Sequence, residues 1–310
     1  MRVLVTGAGG FAGQALVRHL HAAGHEVRRA LRVPLATPDV TTETVVVGPF
    51  NADTDWRPAL KGVDAVAHLA ARAHVSGPEA ADEAGFMAIN HDATLTLARA
   101  CAGQVRRLVF ISTIGVHGPV SDARGFNENS PLQPHTPYAR SKARAETAMR
   151  ELAGRGNLSL AILRPPLVYG PGAPGNLARL LRLVRRGWPL PLAAVNNARS
   201  LIGVTHLAAL IEAALTAPAL PREVFCVADR ETLSTPEMIR AIAAGCGRPA
   251  RLWSVPPAWL RVAGRLLRRE AQLEQLTGSL VVDAAAARMA FGDLQPCSTD
   301  AGLMEMAAHG

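Results

Sequence analysis

The stretch from Arg2 to Gly13, RVLVTGAGGFAG, decides how the rest of the chain is read. Its first half is a short apolar run with β-branched residues, the composition of a buried strand. Its second half carries glycines at 7, 9, 10 and 13. Beyond it, Leu16, Val17 and Leu20 fall at helical spacing, and Gly24 ends the pattern. Strand, glycine turn and helix in that order put free N–H groups and the positive end of a helix dipole at the turn. The glycines let a pyrophosphate approach the backbone. The strand before and the helix after distinguish this from an ordinary glycine-rich turn. Gly7, Gly10, Phe11, Ala12 and Gly13 are therefore expected to hold a dinucleotide.

The alternation continues outward. His25–Leu31, Val45–Val47, Ala65–Leu69, Leu108–Ser112 and Leu158–Leu163 read as strands, and Ala88–Ala102 and Tyr138–Ala153 as helices. Repeated βαβ units imply an α/β chain built on a Rossmann-type, doubly wound parallel sheet. After Arg164 the texture changes: Pro165-Pro166, Pro171-Gly172 and Pro174-Gly175 interrupt it. Ser234-Thr235-Pro236-Glu237 has the capping hydroxyl, early proline and later glutamate of a helix start. The tail from Trp253 reads as mostly helical. The expected organisation is a dinucleotide-binding domain over 1–164, completed by parts of 191–230. A smaller C-terminal substrate-binding part would take 165–190 and 231–310.

Composition narrows the function classes. At 310 residues, 49% hydrophobic and 19% charged, the chain can bury a sizeable core, which excludes a disordered protein. No apolar run reaches the ~18 residues of a membrane span, and the opening residues lack the pattern of a secretion signal. Cys101, Cys226, Cys246 and Cys297 lie far apart, so neither a zinc site nor a disulfide framework is expected, and no metal. A reducing cytoplasm is the expected setting. The net charge of +8 comes from basic residues spread along the chain, with only short clusters such as Arg28-Arg29 and Arg268-Arg269. That argues against a nucleic-acid partner, which needs a focused stripe, and suits a small anionic substrate. Residues 257–269, PAWLRVAGRLLRR, form an amphipathic basic pattern. It is read as a core-covering helix with an arginine face, with a membrane-surface helix as the alternative.

Two residue types are scarce: the lysines are Lys61 and Lys142, and the tyrosines are Tyr138 and Tyr169. One of each falls in the window Tyr138-Ala139-Arg140-Ser141-Lys142. With the glycines at 7, 10 and 13, this Tyr-x-x-x-Lys window resembles the short-chain dehydrogenase/reductase superfamily. His68-Leu69-Ala70-Ala71, Asn90, the run from Phe110 to Gly118, the run from Arg164 to Gly172, and Arg199-Ser200 resemble its extended, nucleotide-sugar-modifying branch. The likeness is nearest to the UDP-sugar 4-epimerases and 4-ketoreductases of bacterial surface-polysaccharide synthesis.

Four residues apart on a helix, Tyr138 and Lys142 share one side. An ammonium beside a phenol favours the phenolate and lowers its pKa, which suits a general acid/base working on a sugar hydroxyl. The resemblance further implies that Thr113 hydrogen-bonds the reacting oxygen and that Lys142 also holds the nicotinamide ribose. It implies that Leu69, Ala70, Ala71, Ser112 and Pro165 line the cofactor and that Asn90 supports the lysine. Asn176 and Arg199 would meet a nucleotide-diphosphate sugar, Arg199 through the paired donors that suit phosphate. A homodimer built on the helices near Ala88 and Tyr138 is implied as well. His68 is read as structural.

Several positions depart from the branch pattern. Ile114 and Gly115 stand where dehydratases have two carboxylates, which argues against 4,6-dehydration. His117 replaces a usual tyrosine, Pro49-Phe50 a usual aspartate, and Thr205-His206 a usual acidic or amide pair. At the end of the second strand Leu31-Arg32 stand where NAD-binding chains place an acidic residue, so Arg32 tilts the cofactor expectation from NAD to NADP. The expected activity is a UDP-sugar 4-epimerase. The alternatives are an NADPH-dependent UDP-4-keto-sugar reductase and a non-catalytic dinucleotide-binding sensor.

Overall fold

The computed structural model describes residues 1–34, 42–73, 75, 77–266 and 270–309. Arg268 and Arg269, the end of the expected basic helix, lie outside the described residues. The N-terminal half runs β1 (Arg2–Thr6), α1 (Phe11–Ala22), β2 (Glu26–Leu31), β3 (Glu43–Val46), α2 (Arg57–Leu60) and β4 (Ala65–His68). It continues with α3 (Glu83–Met87), α4 (Ala93–Cys101), β5 (Arg107–Ile111), α5 (Pro137–Leu152) and β6 (Leu160–Arg164). Then follow β7 (Leu167–Tyr169), α6 (Gly175–Arg185), β8 (Arg199–Gly203), α7 (Val204–Thr216), β9 (Val224–Cys226) and β10 (Thr232–Leu233). The chain closes with α8 (Thr235–Gly245), α9 (Pro257–Leu266), α10 (Glu270–Thr277), α11 (Ala285–Phe291) and α12 (Thr299–His309).

Seven parallel strands form the main sheet in the order β3-β2-β1-β4-β5-β6-β9. The order reverses between β1 and β4, the position at which doubly wound sheets bind ligands. Both faces are covered, so the strands are apolar on both sides. On β1, Val3 and Val5 enter one core with Leu16 and Leu20 of α1 and Leu207 of α7. Leu4 enters the opposite core with Leu97 of α4 and Met149 of α5.

The smaller lobe is a three-stranded sheet, β10-β8-β7, over a third core shared by α6, α8 and α12. Ser234 and Glu237 form the reciprocal capping box that starts α8, as the sequence pattern requires. Residues between 191 and 230 divide: β8 joins the small sheet, whereas α7 and β9 complete the large one. Neither β9 nor the small sheet was legible as a strand pattern, because their strands are only two to five residues long.

The expected helix Ala88–Ala102 is interrupted. Ala88–Asp92 form a π-helical turn before α4 begins. Such turns widen the backbone ladder and recur at functional sites.

Candidate active site

The ends of β1, β4 and β5 converge where the strand order reverses. At β1, Gly7 has φ +70°, and a Cβ there would lie 2.6 Å from the backbone nitrogen of Ala70. A Cβ on Gly13 would sit 2.1 Å from the carbonyl oxygen of Gly7. Only glycine lets α1 close against the turn and the turn against the Leu69–Ala71 loop. No side chain caps α1 at Gly10, so the first N–H groups at Phe11 and Ala12 remain for a ligand, and space opens beside Gly9.

At β5, the Ser112 hydroxyl is buried with no hydrogen-bond partner, an orphan in need of an acceptor or donor. Pro165 is buried alongside, its carbonyl accepting the N–H of Ile114 at 2.9 Å. These features fit a dinucleotide: a donor-rich helix start, a backbone cradle that a Cβ would fill, and an unsatisfied hydroxyl beyond it.

Thr113 caps the short turn Ile114–Val116, its Oγ1 accepting from the Gly115 N–H at 3.1 Å. Thr136 caps α5 by accepting from the Ala139 N–H at 3.1 Å, which fixes where Tyr138 and Lys142 emerge. Lys142 is fully buried, with Nζ 4.0 Å from the centroid of the Phe110 ring. Burial pulls its pKa down to about 7, and Glu146 one turn further along works against that shift. The Tyr138 ring meets Phe86 edge-on at 6.3 Å. Burial pushes the Tyr138 phenol up to about 12. The expected lowering by Lys142 is outweighed, because burial acts on the phenol and also weakens the lysine's own hold on its proton.

Asn90 lies in the π-helical turn and is completely buried. Its Oδ1 accepts from the Arg72 N–H at 2.7 Å, and its Nδ2 donates to the Arg72 carbonyl and the Ser141 hydroxyl, each at 3.0 Å. It therefore clamps the loop after β4 to the residue preceding Lys142. His68 bonds Thr6 Oγ1 through Nδ1 at 2.6 Å and Thr94 Oγ1 through Nε2 at 2.9 Å. It stacks on Phe110 at 5.7 Å, and burial drives its pKa down to about 3. It is a neutral structural tie across β1, β4 and α4.

The role of His117 becomes visible here. Arg164 is buried, and its Nε donates to both Glu146 oxygens at 3.1 Å while Nη2 also reaches Oε2. Its Nη1 donates to His117 Nε2 at 3.0 Å, so His117 carries its proton on Nδ1, facing the Pro131 carbonyl at 3.0 Å. His206, at another departing position, bonds Asp229 at 2.7 Å. Phe50 packs edge-on against the buried Trp56 at 5.1 Å.

Arg32 is exposed past the end of β2, and Asn176 is exposed at the start of α6. Arg199 is half-buried at the start of β8, its Nη1 donating to the Gly278 carbonyl at 2.9 Å, and burial lowers its pKa. Sequence reasoning assigned no role to Phe110, Phe86, Ser141 or Glu146. Only Glu146 left a signal, its four-residue spacing from Lys142.

Residues 3–228 match the model of the NAD dependent epimerase/dehydratase family. The UDP-glucose 4-epimerase of Vibrio cholerae is 34% identical over 98% of this chain and 94% of its own length. The 2-alkyl-3-oxoalkanoate reductase of Shewanella oneidensis is 28% identical over 98% of this chain and 85% of its own. Among solved structures, the UDP-glucose 4-epimerase of Thermus thermophilus in complex with NAD superposes with a TM-score of 0.79. It is 26% identical, covering 100% of this chain and 98% of that one.

Proposed function

Because the chain belongs to the NAD dependent epimerase/dehydratase family and is thus an NAD-dependent enzyme of the short-chain dehydrogenase/reductase type, we propose that it inverts C4 of a UDP-sugar, with Tyr138 as acid and base. The observation carrying this reading is the pair on α5, half-buried Tyr138 and buried Lys142, next to the Thr113–Gly115 turn that follows β5. In this reading the α1 start and the Gly7–Gly13 turn hold a pyrophosphate, and Ser112, Leu69–Ala71 and Pro165 wall the nicotinamide side. A bound dinucleotide supplies hydride acceptance and return.

The chain's own part is proton transfer and orientation. Tyr138 takes the proton from the C4 hydroxyl and returns it after the keto sugar has turned over. Thr113 hydrogen-bonds the same oxygen. The Lys142 ammonium opposes the burial that keeps Tyr138 protonated, and Asn90 fixes the backbone that presents it. Arg199 and Asn176 take the diphosphate. The reading includes a homodimer through α4 and α5, which sedimentation velocity would read directly.

A second reading, an NADPH-dependent 4-keto-sugar reductase, is favoured by one observation: no carboxylate stands at residues 31–34, where the exposed Arg32 sits past β2. Denaturing the purified protein and identifying released dinucleotide by mass separates the two. Stoichiometric NAD, with UDP-glucose and UDP-galactose interconverted, supports the epimerase. An empty protein that binds NADPH more tightly than NADH and interconverts neither sugar overturns it in favour of the reductase. Tyr138→Phe should lower turnover by about 10²–10⁴-fold with dinucleotide binding intact. Unchanged turnover would remove Tyr138 from the mechanism.

A further inference from the structure

Of the chain's four tryptophans, Trp56 is buried, whereas Trp188, Trp253 and Trp259 are 59%, 56% and 68% exposed. The segments that carry the three contribute residues to one core. The Leu190 N–H bonds the Arg251 carbonyl at 2.8 Å, and the Trp253 N–H bonds the Leu190 carbonyl at 3.1 Å. These bonds lay the segment after Trp188 alongside the segment that carries Trp253. Leu190, Leu252, Val255 and Leu260 all turn into the core of the smaller lobe. Strand alternation therefore turns Trp253 outward. On α9, Trp259 and Val262 are one turn apart and both exposed, with exposed Arg265 continuing the stripe.

The segments that carry this apolar set hold basic charge alone, and exposed Glu274 stands on α10, which packs against α9. Residues 152–211 and 238–269 contain no aspartate or glutamate, and the carboxylates resume at Glu270. Arg182 and Arg186 at the end of α6 are exposed, and Arg251 reaches back to the Gly187 carbonyl beside Trp188 at 3.3 Å. Exposed indole rings with arginines around them match the layered chemistry of a bilayer interface, where tryptophan settles among headgroups and arginine meets lipid phosphate. An exposed apolar set of this kind otherwise works against a monomer in water.

We propose that this face of the smaller lobe docks reversibly on an anionic lipid bilayer, with Trp188, Trp253 and Trp259 at headgroup depth. The sequence reading of 257–269 as a core-covering helix describes Leu260, but it leaves the outward Trp259 and Val262 unexplained. The docking is independent of which sugar the enzyme takes, since its readouts need no turnover.

The test is co-sedimentation of the purified full chain with vesicles of phosphatidylglycerol and phosphatidylethanolamine, against vesicles of phosphatidylcholine alone. Binding should be about tenfold or more greater on the anionic vesicles and should fall with salt. Tryptophan emission should shift to the blue, and lipids brominated near the headgroup should quench it. Trp253→Glu with Trp259→Glu should reduce binding by a similar factor while dinucleotide binding is unchanged. Equal partition onto both vesicles, no partition at all, or undiminished binding by the double variant would each overturn the proposal. So would light scattering that shows a dimer broken by the double variant in a protein that ignores vesicles, which assigns the face to a second copy of this chain. The quenching measurement uses the unaltered protein and does not depend on how the variant folds.

Discussion

His68 sets a pH limit at the scale of one side chain. Its pKa falls from an ordinary 6.5 to about 3 because the ring is fully desolvated between Thr6 and Thr94. A group whose folded pKa is depressed contributes stability above its unfolded pKa and loses it as pH falls. Between about pH 6.5 and 3, each unit should cost ~1.4 kcal/mol, as the unfolded chain takes up a proton that the folded chain refuses. Thermal melts from pH 7 to 5 should therefore fall more steeply for the native chain than for His68→Gln, and parallel slopes would show that another group governs acid sensitivity. Lys142 follows the same sign in a higher window, from its ordinary 10.5 down to about 7. Tyr138 and Lys142 stood out in the sequence by scarcity, four-residue spacing and the resemblance of their window to the short-chain dehydrogenase/reductase pattern. Their environment did not, because Phe110 reaches Lys142 only through the parallel register that sets His68 beside Phe110.

At the scale of elements, two contacts fix α1 and α5 relative to the sheet. A Gly13→Ala methyl would overlap the Gly7 carbonyl, so α1 must move off the turn. The expected loss is about 1–3 kcal/mol or more of stability, with weakened dinucleotide binding, both read in one thermal titration with NAD and NADP. Helix α5 is tied to β6 by the buried pair of Glu146 and Arg164. Glu146→Leu leaves a buried guanidinium whose remaining partners are neutral His117 and the Cys226 thiol, and should cost about 3–5 kcal/mol in denaturant unfolding. Adding Arg164→Leu should recover much of that loss, and a double variant no better than the single would show that the pair is not the source. The glycine turn was legible in the sequence from its place between strand and helix, but that Gly13 closes α1 against the Gly7 carbonyl was not, because spacing does not say which backbone atom each glycine meets. The ion pair was not, since nothing local links residue 146 to residue 164 across two elements.

At the scale of the molecule, the family match ends at residue 228, and the next residue joins the two lobes. Asp229 accepts from the Tyr169 hydroxyl at 2.8 Å, from His206 Nδ1 at 2.7 Å and from the Gly203 N–H. Its Oδ2 lies 3.5 Å from Thr299 Oγ1 at the start of α12. One buried carboxylate thus gathers β7, the β8–α7 junction and the last helix. The alternating N-terminal pattern announced the large sheet, whereas this junction uses short strands and residues scattered over more than a hundred positions. Asp229→Ala leaves Tyr169 and His206 without their acceptor, at about 1–3 kcal/mol for each buried group. The segment between α11 and α12, held in part by Gln295 on the Arg230 N–H at 2.7 Å, should then open more often. Limited proteolysis should cut the Asp229→Ala chain between residues 292 and 299 at least about tenfold faster than the native chain. Dinucleotide binding should persist, because β4, β5 and β6 separate β9 from the Gly7 turn on β1. Cleavage at the native rate would mean that the shared cores, rather than this carboxylate, hold the lobes together.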